Sequence, residues 1–174
     1  MITIVSGSYR KDNLTISLSN LYATILEQKK QAFQLLDFRT LPVSFLYENE
    51  IFGNSTVEVD KLLKKYIIIP QKFIFITPEY NGSFPGIVKA FIDICDPEWF
   101  VGKKAALAGT SSGRAGNLRG MDHLSSILEH LEMHVLPQKV PVSQINNLID
   151  EDQKINDEET LKAITNQIDK FVAW

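Results

Sequence analysis

The sequence predicts the α/β class, with five short strands alternating with helices and joined into one parallel sheet. Apolar runs rich in β-branched and aromatic residues, such as Met1–Val5 and Phe73–Ile76, recur along the chain. Each is followed by a segment whose apolar residues fall at helical spacing. Strands separated by helices imply right-handed crossovers and parallel pairing. Glycine, proline, serine and asparagine collect just after the first, third and fourth strands, which places loops at one edge of that sheet.

Strands are expected at 1–6, 31–37, 72–77, 103–109 and 133–140, and helices at 14–29, 55–69, 85–95, 117–132 and 157–173. In the first helix Leu14, Leu18, Leu21, Ile25 and Leu26 share a face. The carboxylates Asp157, Glu158 and Glu159 open the last helix, where they suit the positive end of its dipole and read as structural. Five such strands predict a flavodoxin-like three-layer sandwich with sheet order 2-1-3-4-5. The 174 residues fit one domain with a sizeable core, and no repeat or linker divides them. Residues 38–54 form a long connection bearing Phe45, Leu46, Tyr47, Ile51 and Phe52, apolar groups that need cover from the domain, a ligand or another subunit.

A net charge of −3 gives no support for a nucleic-acid partner. Lys61, Lys64 and Lys65, the one basic group, read as a solvated helix face. No apolar run approaches the ~20 residues that span a bilayer, and the N-terminus has no signal-like pattern. Cys95 is the only cysteine, so no intrachain disulfide forms and a reducing cytoplasmic compartment is expected.

Three loops carry the chemistry. In the first, Ser6-Gly7-Ser8-Tyr9-Arg10-Lys11-Asp12-Asn13-Leu14-Thr15 leads from a strand into a helix. Small residues permit a sharp turn, and hydroxyls with helix N–H groups make an anion pocket. Arg10 adds a fork-shaped charge suited to phosphate. The loop is neither GxxxxGK[ST] nor GxGxxG, which leaves a single terminal phosphate as its natural guest. In the second, Thr77-Pro78-Glu79-Tyr80-Asn81-Gly82-Ser83-Phe84-Pro85-Gly86 has two prolines and two glycines that fix the backbone. It presents Tyr80 and Asn81, which suit a flat heterocycle with hydrogen-bonding edges. The third, Gly109-Thr110-Ser111-Ser112-Gly113-Arg114-Ala115-Gly116-Asn117, permits close approach of backbone N–H groups. Together they describe a mononucleotide site with a planar ring at a sheet's carboxyl edge.

The stretches GSYRKDN and PEYNGSFPGIVKAFID resemble the NAD(P)H-dependent FMN reductase family, which includes quinone, azo-dye and chromate reductases. The resemblance covers nearly the whole chain, with PEYNGSFPG its most specific part. It implies one flavodoxin-like FMN-binding domain over residues 1–174. The family's phosphate loop falls on Ser8, Arg10, Asn13, Leu14 and Thr15. Its ring-holding loop falls on Pro78, Glu79, Tyr80, Asn81, Gly82 and Ser83. The third loop falls on Ser111, Ser112, Gly113 and Arg114. Asn13 and Thr15 depart from the family's usual Ser and Asn but still hydrogen-bond phosphate. The segment Ile94–Phe100 is shorter than in many members. The resemblance implies FMN as cofactor, NADPH or NADH as donor, and a quinone, azo compound or free flavin as acceptor. It also implies a homodimer or a dimer of dimers.

Other chemistries fit less well. His130 and His134 are four apart but do not form H-E-x-x-H, and the helix is expected to end between them. No G-x-S-x-G elbow occurs, and Cys95 reads as a buried, inert thiol. No acid/base constellation is evident, as expected where the cofactor carries the chemistry. The rivals are a non-enzymatic flavodoxin-type electron carrier and a flavin-binding regulatory module. The carrier reading wants a strongly acidic surface, which −3 does not supply.

Overall fold

The computed structural model describes residues 1–42, 45, 47–48, 51 and 55–174. Its elements run β1 (Ile2–Ser6), α1 (Thr15–Gln28), β2 (Phe33–Asp37), α2 (Val57–Leu63), β3 (Lys72–Pro78), α3 (Gly86–Asp93) and β4 (Lys104–Thr110). There follow α4 (Leu118–His130), β5 (His134–Val135), β6 (Val140–Val142) and α5 (Glu158–Ala173). Sheet order is β2-β1-β3-β4-β5 and every pairing is parallel. This is the flavodoxin-like order expected.

Alternation along the strands builds the layers, because successive side chains point to opposite faces. Ile2, Ile4, Ile74, Ile76, Ala106 and Ala108 pack under Leu18, Tyr22, Leu26, Ile164, Ile168 and Phe171 of α1 and α5. Val5, Phe73, Phe75, Ala105 and Leu107 pack on the other side under α2, α3 and α4. Both faces are covered, so the strands read as continuous apolar runs.

Three expectations change. The strand expected at 133–140 is two: Lys104 aligns with His134, but Ala108 aligns with Val140. Residues 136–139 therefore bulge opposite Ala106 and Leu107. Pro137 lacks an N–H and cannot continue a ladder. The fully buried Gln167 fills the gap, its Nε2 donating to Leu107 O at 2.9 Å and Gln138 O at 2.8 Å. Tyr22 Oη donates to Gln167 Oε1 at 2.6 Å, and burial pushes that phenol's pKa far up. Secondly, the helix expected at 55–69 is α2 followed by a wider π-helical turn, Lys64–Ile68. The Lys103 ammonium closes that turn, donating to Ile67 O at 2.6 Å and Ile68 O at 2.9 Å.

Thirdly, the cover left open between the domain, a ligand and another subunit is supplied in part by the domain itself. Phe45 is buried, with Phe38 and Phe45 set 4.9 and 5.8 Å from the Phe91 ring. Phe100 is also fully buried. Tyr47 and Ile51 do face solvent, at 89% and 65% exposure. Leu46 and Phe52 lie outside the described residues. Among the described residues, no helix is long and apolar enough to cross a membrane.

Candidate functional site

The three loops meet beyond the carboxyl ends of β1, β3 and β4. The first leaves β1 through Gly7, whose N–H still bonds Ile76 O at 2.9 Å. A Cβ there would stand 2.9 Å from Val88 Cγ2, so only glycine lets β1 turn against α3. Ser8 is fully buried, and its Oγ lies 2.8 Å from Tyr80 Oη, tying the first loop to the second. The Asn13 amide folds the loop onto α1: Nδ2 donates to Arg10 O at 2.6 Å, and Oδ1 accepts from Ile16 N at 3.1 Å. Asn13 thus acts as a helix cap. Thr15 is buried with its Oγ1 3.5 Å from Thr110 Oγ1. The first turn of α1 carries no acidic residue, and the first N–H groups of any helix lack intrahelical partners. Arg10 is exposed at this end, its guanidinium without a partner among the described residues.

The second loop is a tight hairpin turn. Tyr80 N donates to Ser83 O at 2.8 Å and Ser83 N to Tyr80 O at 3.1 Å. Asn81 and Gly82 between them have φ of +52° and +77°. Asn-Gly is the pair best suited to two successive left-handed residues. The turn docks on α4, with Ser83 Oγ 2.9 Å from His123 Nδ1.

The third loop is organised by Ser111, whose Oγ donates to Gly113 O at 2.9 Å and accepts from Gly116 N at 2.8 Å. Ser112 Oγ donates to Asn146 Oδ1 at 3.1 Å. The fully buried Asn117, at φ +63°, joins this loop to the second. Its Nδ2 donates to Thr77 O and Thr77 Oγ1 at 3.0 Å and to Pro78 O at 3.1 Å. Sequence reasoning quoted Asn117 without giving it this role. Gly120 makes room for it, since a Cβ there would overlap Asn117 Oδ1.

The loops enclose a cleft of about 220 Å³. Of the expected residues, Arg10, Asn13, Leu14, Thr15, Pro78, Glu79, Tyr80, Ser111 and Ser112 line it. Ser8 lies beneath Tyr80. Asn81, Gly113 and Arg114 line an adjoining concavity that shares Glu79, Ser111 and Ser112 with the cleft. Gly82 and Ser83 face α4 instead. Sequence reasoning did not assign Asp12, Thr110, Ile145 or Asn146 to the lining. Thr110 ends β4 beside the assigned Ser111 and was within reach, whereas no local pattern marks Ile145 and Asn146. Elsewhere, His130 closes α4 and His134 opens β5. Cys95 is buried with Sγ donating to Phe91 O at 3.2 Å, and burial pushes its thiol pKa up.

The donor set fits a phosphate-terminated planar group. An acid-free helix N-terminus, the Thr15 hydroxyl and the Arg10 guanidinium offer hydrogen bonds and positive charge. The carboxylates of Asp12 and Glu79 also line the cleft. Tyr80 and the backbone of the third loop leave an aromatic and polar wall for a ring.

Comparison with known proteins agrees. A family model described as NADPH-dependent FMN reductase matches residues 1–147. The 2-hydroxy-1,4-benzoquinone reductase of a Burkholderia species is 29% identical over 178 aligned residues, covering 99% of this chain and 94% of that protein. A solved NAD(P)H:acceptor oxidoreductase flavoenzyme from Paracoccus denitrificans superposes with a TM-score of 0.80 at 29% identity, covering 99% of this chain and 95% of that one. The two-electron-reduced flavodoxin of Megasphaera elsdenii shares the fold at a TM-score of 0.60 and 16% identity, over 98% and 99% of the two chains. The chain belongs to the NADPH-dependent FMN reductase family and is an FMN-dependent, NAD(P)H-using oxidoreductase of flavodoxin-like fold.

Proposed function

We propose that this enzyme reduces small planar acceptors of the quinone type, with azo compounds and free flavin as further members of the range, and that FMN lies across the three loops. The observation that carries the placement is the meeting of α1's acid-free first turn and Arg10 with the Tyr80 turn in one cleft. The quinone class rests on the relatives, one of which is a benzoquinone reductase.

In this reading Ser8, Arg10, Asn13, Leu14 and Thr15 surround the phosphate end. Arg10 and the helix N–H groups balance its charge, while Asn13 holds the loop's shape. Pro78, Glu79, Tyr80 and Asn81 hold the ring, and Gly82 and Ser83 serve it by docking their turn on α4. Ser111, Ser112, Gly113 and Arg114 bound its other side and offer backbone N–H groups to its polar edge. When bound, FMN would supply the two-electron redox chemistry that links NAD(P)H to the acceptor. The protein's tasks are to orient Tyr80 through Ser8, to fix the turn through Asn117, and to shelter the ring from water.

The test is anaerobic titration of the FMN-loaded protein. NADPH or NADH should bleach the flavin absorption, and one equivalent of 1,4-benzoquinone should restore it. A flavin that stays oxidised under both donors would refute the reading. A bleached flavin that reoxidises with a carrier protein but with no quinone, azo compound or free flavin would favour the electron-carrier alternative.

A homodimer, or a dimer of dimers, belongs to the same reading. Exposed Tyr47 and Ile51 support it, since a symmetric pair would cover both. A specific interface buries roughly 1,000 Å² or more. Light scattering at micromolar concentration giving the mass of one chain, with and without FMN, would refute it. The single buried Cys95 supports a reducing cytoplasmic compartment.

A further inference from the structure

The four arginines of this chain are unevenly used. Arg39 is paired with Asp37 at 2.6 Å. Arg10, Arg114 and Arg119 have no ion-pair or hydrogen-bond partner for their side chains among the described residues. Arg10 and Arg114 line the cleft and its neighbour, where the FMN reading already employs them. Arg119 has no task in that reading.

Its position is informative. Arg119 and His123 stand four residues apart on α4 and so share a helix face. That face meets the back of the hairpin turn residue by residue. The Arg119 guanidinium lies against Gly82, where a Cβ would come within 2.8 Å of Nη1. The His123 ring lies against Ser83, Nδ1 to Oγ 2.9 Å. With Nδ1 committed to Ser83, His123 Nε2 is left without a protein partner among the described residues. Both side chains are exposed. The carboxylate between them, Asp122, is engaged by Lys139 at 2.6 Å and does not neutralise Arg119. A polar strip carrying the uncompensated guanidinium of Arg119 therefore begins where the Tyr80–Ser83 turn ends.

We propose that Arg119, with His123 beside it, is the phosphate-binding subsite for the nicotinamide dinucleotide donor. This inference rests on the redox reading above. A donor whose nicotinamide meets a ring held by Tyr80 must carry its adenosine and its phosphates out of the cleft. The strip on α4 offers that tail a planar, fork-shaped donor suited to phosphate oxygens. Because Gly82 has no Cβ, the guanidinium seats directly against the turn, beside the residues that follow Tyr80.

The test separates phosphate binding from hydride transfer. Calorimetric titration of the FMN-loaded protein uses 2′-phospho-ADP-ribose and ADP-ribose, fragments that lack the nicotinamide. The phosphorylated fragment should bind and compete with NADPH. Arg119→Gln should weaken it by roughly 10- to 100-fold, the range of a charge-assisted contact, and Arg119→Lys should recover part of the loss. FMN affinity and melting temperature should not move. Loss confined to 2′-phospho-ADP-ribose assigns the subsite to the 2′-phosphate, and equal loss for both fragments assigns it to the pyrophosphate. Unchanged affinity in Arg119→Gln, or absence of fragment binding to the unaltered protein, would overturn the proposal. Fragment binding that depends on Arg119 alongside a flavin that NADPH cannot bleach would support the subsite and refute the redox reading.

Discussion

Two helices begin beside the same edge of the sheet and treat their N-termini in opposite ways. Both are capped by a side chain three residues back, but the charge differs. Asp157 Oδ2 accepts from Thr160 N at 2.8 Å with Glu158 and Glu159 following, whereas the neutral Asn13 amide caps α1. The first turn of α1 has no acidic residue, and its flanking loop brings Arg10 instead. Carboxylates at a helix start satisfy the dipole internally and repel an incoming anion. Uncharged hydroxyls with an exposed, unpaired cation leave the dipole available to one. The contrast teaches that a helix N-terminus stays open to an anion through what the sequence omits from it.

Four substitutions break or sharpen this contrast. Arg10→Ala removes the cation that distinguishes α1, and FMN affinity should fall by about 1.5–3 kcal/mol, the worth of a hydrogen bond to a charged group. Fluorescence titration checks this, and an unchanged dissociation constant would take Arg10 out of the site. Ile16→Glu, at a half-buried position, gives α1 the first-turn carboxylate that α5 has at Glu159. Repulsion between it and phosphate should weaken FMN by about 1–2 kcal/mol, less at high salt because exposed charges are screened. Retained affinity at low salt would place the phosphate elsewhere. Tyr80→Phe deletes the bond to Ser8 Oγ and should cost about 0.5–1.5 kcal/mol. Flavin affinity and hydride-transfer rate should fall together, because Tyr80 positions the ring. A changed pH profile with intact flavin binding would indicate proton transfer instead.

The smallest effect is expected at α5. Hydrogen bonding to Thr160 holds the Asp157 carboxyl below its ordinary 3.8. A carboxyl lowered on folding contributes stability above pH 3.8, and that contribution is lost as pH falls through the folded value. Asp157→Asn should keep the cap near neutrality and flatten the acid limb of the stability curve. Melting temperatures across the acid range check this, and an unaltered acid limb would remove Asp157 from the account.

Much of this edge was readable before the fold was known. Hydroxyls, glycines and Arg10 between an apolar strand and an amphipathic helix mark a cleft-lining loop, and Asn81-Gly82 marks a tight turn, because both signals are local. What stayed hidden was long-range. Nothing near Asn117 in sequence says that its amide reaches Thr77 and Pro78. The break between β5 and β6 depends on Gln167, far along the chain, satisfying Leu107 O. Phe45 looked exposed because the Phe91 ring that covers it lies on α3. Ile145 and Asn146 reach the cleft only because β6 pairs with the upper end of β4.

The placement of FMN at the α1 edge is tested most directly by amide chemical-shift mapping as FMN is added to the flavin-free protein. The shifts should concentrate in residues 8–17, 78–83 and 110–114, while the first turn of α5, residues 158–160, stays unmoved. Saturable shifts centred on α5, or on the opposite edge around Lys72 and Lys104, with loop 8–17 silent, would contradict it.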